Sequence, residues 1–90
     1  MLKTRFKVGD IIEIEKYWDQ GDDKWLSGIV QITDYTPHYP NTINGMYSME
    51  LLNGNFSSIR HNSDVFDNLQ YLVWLGNIND NKTLRLLYGK

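Results

Sequence analysis

None of the 90 residues is Ala, so the side chain best suited to helices is unused and the core must be assembled from other types. Ten Leu, eight Ile, four Val and three Phe supply the apolar content, with six Tyr and three Trp beside them. β-Branched and aromatic side chains sit best on a pleated, half-buried surface. Asn, Gly and Asp, which tolerate left-handed backbone and build tight turns, account for 24 residues. Many short strands with many turns follow, and the expected fold class is all-β.

A chain of this length hides only about 60 to 65% of the surface that its unfolded form exposes. One domain, residues 1 to 90, is therefore expected to share one core. Apolar runs such as Tyr71 to Leu75 are too short to span a membrane, and Met-Leu-Lys-Thr-Arg-Phe-Lys at the start lacks a signal-peptide centre. A cytoplasmic protein with no membrane partner is expected. The absence of Cys excludes disulfides and cysteine zinc sites and suits a reducing compartment. A net charge of -2 and a pI near 5.5 give no general attraction to nucleic acid or to an anionic membrane. Asn, Ile, Tyr and Lys, whose codons are AT-rich, number 29 against 5 for Ala, Pro and Arg, as in an AT-rich bacterial or phage genome.

Ile12 and Ile14 alternate with Glu13 and Glu15 behind a Gly9-Asp10 turn, which predicts a first strand within residues 6 to 17. Trp18-Asp-Gln-Gly-Asp-Asp-Lys24 has the composition of a solvated hairpin loop. Trp25 opens a second strand to Thr33, with Gly28, Val30 and Ile32 on one face; Gly28 suits a bulge or a close backbone contact. Pro37 and Pro40 cannot donate ladder bonds and Asn44-Gly45 is a turn pair, so Tyr35 to Asn44 reads as a surface excursion. Met46 to Leu52 is a third strand with Tyr47, Met49 and Leu51 on one face, and Asn53-Gly54 predicts a two-residue hairpin into Phe56 to His61. Ser63 as an N-cap with Asp64 and Asp67 behind it predicts a short helical turn near 63 to 69. Tyr71 to Leu75 and Thr83 to Tyr88 predict a final hairpin. Val65, Phe66, Leu69, Leu72 and Val73 also fit helical spacing, which leaves helix or strand open over 64 to 75, with strand favoured.

Val8-Gly9-Asp10, the acidic loop, Trp25-Leu-Ser-Gly28-Ile-Val30-Gln-Ile32, then Tyr47 and a hairpin into Ile59, resembles the SH3-like small barrels, most nearly the Tudor and KOW group. In those families a Val-Gly-Asp turn opens the first strand and a Trp begins the second. The likeness covers residues 8 to about 61, and departs from the pattern in the long Tyr35 to Asn44 segment and in two extra strands. It implies a small barrel of five to six antiparallel strands, with a short helical turn near 63 to 69, and binding without chemistry. Such barrels dock a peptide or nucleic-acid strand on aromatic residues near the first and second loops, a region held here by Tyr17, Trp18, Trp25 and Tyr35. The methyl-lysine cage of Tudor domains is not carried over, since two or three aromatics do not make a cage.

The candidate partner-binding residues are Tyr17, Trp18, Asp19, Asp22, Asp23, Tyr35, His38 and Tyr39, large rings and carboxylates beside turns where interface anchors often sit. Trp25 is expected to pack as core or as the cap of a barrel end. Residues 10 to 34 carry seven acids against Lys16 and Lys24, a local charge of -5. Asp19, Asp22 and Asp23 lack the spacing and the downstream Glu of a calcium loop, so no metal and no cofactor is expected. Lys3, Arg5 and Lys7 at one end and Lys82, Arg85 and Lys90 at the other suit a solvated strand edge. His61, Asp64 and Ser57, Ser58 or Ser63 are the residue types of a hydrolytic triad without a positioning motif, and no enzyme is expected. The function anticipated is a non-catalytic protein-binding module, a phage-encoded accessory or inhibitor that meets a host protein through the acidic first loop and the Tyr35 to Pro40 loop. One alternative is a KOW- or Tudor-like nucleic-acid binder using Arg5, Lys7, Arg60 and Arg85 on phosphate. Another is a small structural subunit of a virion assembly.

Overall fold

In a computed structural model, which describes residues 6–37, 45–56, 60–66 and 69–89, the apolar alternation is realised as an antiparallel sheet. The strands are β1 (Asp10–Asp19), β2 (Lys24–Pro37), β3 (Gly45–Gly54), β4 (Arg60–Asn62) and β5 (Leu72–Asn77). A one-turn helix α1 (Ser63–Phe66) precedes β5, and a second helix α2 (Lys82–Tyr88) follows it. Spatial order is β4-β3-β2-β1-β5, so β1 to β4 form a meander and the chain returns to lay β5 beside β1. The all-β class, the five antiparallel strands and the helical turn agree with expectation. Among the described residues β4 and β5 do not pair with each other, so hydrogen bonds do not close the sheet into a barrel.

One face of the sheet carries the core. Period-2 alternation turns Ile12 and Ile14 of β1, Leu26, Val30 and Ile32 of β2, and Tyr47 and Met49 of β3 inward, where they meet Phe56 and Phe66. Tyr47 is fully buried among Tyr35 at 5.2 Å, Phe66 at 5.6 Å and Phe6 at 6.3 Å between ring centroids, and its hydroxyl accepts a hydrogen bond from the Phe6 N–H at 3.1 Å. Ile11, on the opposite face, is also fully buried. It pairs with Gly76, over which Leu84 of α2 lies closely enough that a Cβ on Gly76 would stand 3.0 Å from its Cδ1.

The long strands bend where their ladders slip by one residue. Between Ile14 and Tyr17 the extra residue is on β1; between Asn53 and Leu51 it is on β3. At the second of these, β2 and β3 cross closely at Gly28 and Gly54. A Cβ on Gly28 would stand 2.6 Å from the Asn53 carbonyl oxygen, and Gly54 adopts φ +99, open to glycine and costly for other residues. The close backbone contact expected at Gly28 is therefore present.

Three expectations about the elements need correction. Thr83 to Tyr88 is helix, because Asn81 caps it by accepting from the Leu84 N–H at 3.1 Å and because Lys, Leu and Arg are good helix formers even without Ala. Residues 72 to 75 are strand, the favoured reading, and not helix. Tyr35, Thr36 and Pro37 belong to β2, with Tyr35 drawn onto Tyr47 and Pro37 at the strand's last position, where a missing donor costs least; residues 38 to 44, including Pro40 and Asn44, lie outside the described residues. Asn53 and Gly54 make no two-residue hairpin: they pair with Ile29 and Gly28, while Asn55 and Phe56 both donate to the Ser27 carbonyl, and β4 joins β3 only at Met46 to Ser48. Leu51 keeps the face of Tyr47 and Met49, as expected, opposite Val30, but at 37% exposure it lies at the margin of the core.

Replacing Phe56 by Ala should cost about 3–5 kcal/mol, a large part of the total stability of a domain this size, while exposed Leu86→Ala should stay within about 0.5 kcal/mol. Urea unfolding followed by far-ultraviolet dichroism measures both, and equal midpoints for the two variants would contradict the assigned core.

Candidate functional site

The end of the β1–β2 hairpin gathers the first group of candidate residues. Trp18 and Trp25 face each other across the ladder and pack edge to face at 5.1 Å, yet remain 40% and 56% exposed. Contrary to expectation, Trp25 neither packs as core nor caps a barrel end: alternation from buried Leu26 turns it outward, and the β1 bulge, by putting Tyr17 inward opposite Leu26, turns Trp18 out beside it. Asp19 ends β1 and its Oδ1 accepts the Gly21 N–H at 3.0 Å, the kind of side-chain turn that Asp builds readily. Asp23 holds φ +56, and Asp22 pairs with Lys24 at 3.9 Å in an exposed contact of little energetic weight. The tip of the hairpin is thus an exposed aromatic pair edged by three carboxylates.

The β1 bulge also places a residue that sequence reasoning missed. Lys16 lays its ammonium over the Tyr71 ring at 4.3 Å and towards the Trp25 ring at 5.4 Å, cation-π contacts worth about 0.5–1 kcal/mol each at such exposed sites. Tyr71 is held there by its carbonyl, which accepts from the Glu15 N–H at 2.9 Å. Only the run Tyr71 to Leu75 signalled this neighbourhood in the sequence, and it did not reveal which strand it would flank. An open concavity of about 250 Å³ is lined by Glu13 and Glu15 of β1 with Ser27, Ile29 and Asn53. The acidic excess of residues 10 to 34 thus reaches the outer face of β1.

Other candidates are dispersed or occupied. Tyr17 turns inward, edge to face with Phe56 at 5.6 Å, and Tyr35 packs on Tyr47 at the far end of β2 from the acidic hairpin tip. His38 and Tyr39 lie outside the described residues, as does Arg5. Asp10 is buried, accepting from the Lys7 N–H at 2.8 Å and from Asn77 Nδ2 at 2.9 Å, so its carboxylate fastens the Val8-Gly9-Asp10 turn to the end of β5. Lys7 and Arg60 are exposed on different elements, and Arg85 donates from Nη1 to the Asn79 carbonyl at 2.9 Å. Ser63 is buried with its Oγ accepting the Gly45 N–H at 3.0 Å.

His61 is boxed by Phe56, stacked at 5.5 Å, and by Tyr17 and Phe66, both at 5.8 Å. Its Nε2 is buried with no hydrogen-bond partner among the described residues, and burial holds the imidazole below the ordinary value of 6.5. Burial among these rings favours the neutral form. The unfolded chain then binds the proton more readily, so stability should be complete above about pH 6.5 and fall below it by up to about 1.4 kcal/mol per pH unit. His61→Phe keeps the stacking and should flatten urea midpoints between about pH 7 and pH 5.5, before most carboxylates titrate; an unchanged slope would show that His61 is not the group responsible.

Among the described residues no helix is long and apolar enough to cross a membrane. In comparison with known proteins, no family model, no curated protein and no solved structure matches the chain. Its function has to be read from its own surface.

Proposed function

We propose that the chain is a non-catalytic protein-binding module, an accessory or inhibitory protein that grips its partner with the end of the β1–β2 hairpin. The observation that carries this is the exposed Trp18–Trp25 pair edged by Asp19, Asp22 and Asp23. Trp is the side chain most enriched among interface anchors, since it covers a large area while few rotamers are lost on binding. Two exposed Trp rings side by side are the kind of apolar patch that marks an interaction site. The carboxylates around them favour a partner with a basic rim and steer its approach. The SH3-like resemblance points the same way, with a Val-Gly-Asp turn leading into β1 and Trp25 opening β2. Tyr35 to Pro37 contribute less to this surface, because they stand at the other end of a 14-residue strand.

Trp18→Ala and Trp25→Ala together should weaken partner binding by at least about thirtyfold, the effect of losing one anchor worth about 2 kcal/mol. The thermal midpoint should change little, because both rings are largely outside the core. Affinity capture from lysate of the source cell, followed by calorimetry on the captured partner, measures this with Leu86→Ala as control. Retention of every partner at wild-type affinity by the double variant would remove the hairpin from the interface.

A further inference from the structure

The two edges of the sheet are protected differently. β4 is three residues long and carries Arg60 and His61, the short, polar kind of edge that resists further pairing. β5 runs six residues and, among the described residues, pairs only with β1. Residues 68 to 79 contain no Asp, Glu, Lys, Arg, His or Pro, so none of the usual blocking residues stands on this edge. The Glu15 N–H to Tyr71 carbonyl bond sets the ladder's phase: backbone groups of Tyr71 and Val73 face β1, and those of Leu72 and Trp74 face outward. Tyr71, Val73 and Trp74 are exposed, Trp74 by 59%. α2 turns over Gly76 at the far end of the strand and leaves this stretch uncovered.

We infer that β5 is a self-association edge, on which a second copy of this chain pairs its own β5 antiparallel across a two-fold axis. Two identical strands meet there in complementary fashion: Leu72 on one copy exchanges hydrogen bonds with Trp74 on the other, and Val73 stands opposite Val73. Charge is compatible with this occupant: residues 68 to 79 are neutral, so a second copy brings no like charge against the edge and a charged foreign strand finds no counter-charge there, while the -5 on residues 10 to 34 of each copy opposes close approach and keeps the pairing weak. One strand pair with Val73, Trp74 and Tyr71 covers less than the about 800 Å² per partner of a standard interface, so the dimer is weak and reversible. It uses a different strand from the proposed partner surface, and Trp18→Ala with Trp25→Ala leaves it intact.

Sedimentation velocity from micromolar to sub-millimolar protein, joined to amide hydrogen exchange, tests this on the whole chain. A monomer–dimer equilibrium is expected, with exchange at Leu72 and Trp74 slowing as concentration rises. Val73→Lys sets two ammonium groups against each other on the axis and should abolish both effects. Trp74→Lys, at a position already more than half exposed, gives the same readout if Val73→Lys disturbs the ladder to β1. A monomer throughout, with exchange at Leu72 and Trp74 independent of concentration, would overturn the inference, as would dimers that persist in a folded lysine variant.

Discussion

The rings of Tyr47, Phe56, Phe66 and His61 meet on one face of the sheet, and the rest of the molecule is arranged by that meeting. A chain of 90 residues with no Ala has few small apolar side chains to fill gaps, so the spaces between strands are closed by interlocking aromatics at 5.5 to 5.8 Å. Phe56 reaches the core because the chain leaves β3 tightly: Gly28 and Gly54 let two backbones cross where a Cβ would not fit, and Ser27 accepts both Asn55 and Phe56. His61 joins as a fourth ring, and its burial disfavours the protonated form, which ties the fold's stability to pH.

Filling the core this way also determines what is left outside. Tyr17 and Leu26 complete the inner face at the hairpin end; the bulge in β1 turns Trp18 outward, alternation from Leu26 turns Trp25 outward opposite it, and Lys16 reaches over the Trp25 ring. Trp74 extends from the edge strand. The interior aromatics are Phe and Tyr, while all three Trp lie at the surface, in two places that differ in chemistry: an acidic hairpin tip, which we propose as the partner surface, and a neutral strand edge, which we propose for self-association.

Much of the fold was legible from local signals. Alternation in Ile12 to Ile14, in Val30 to Ile32 and in Tyr47 to Met49 located three strands and their buried faces, and Ser63 marked the helical turn. What could not be read locally was set by long-range contacts. Asn53-Gly54 carries a strong hairpin signal, but Ser27 and Asn55, 28 residues apart, bond to each other and draw that corner against β2 instead. Thr83 to Tyr88 looks like a strand by content, and the cap at Asn81 with Leu84 seated over Gly76 makes it a helix. Of the candidate site, Trp18 and the three Asp were visible as loop residues. The partnership of Trp18 with Trp25, and of Lys16 with Tyr71, depends on a single extra residue in β1 that no short-range pattern announces.

The central claim is that the core takes Tyr, Phe and His rings and leaves every Trp at the surface. Tryptophan fluorescence of the dilute native protein tests this most directly, because all three indoles report on it at once. Native emission should lie close to that of indole in water, be readily quenched by acrylamide and iodide, and shift little on unfolding in urea. A blue-shifted native emission that resists both quenchers and moves sharply to the red on unfolding would place a Trp in the core and contradict the account.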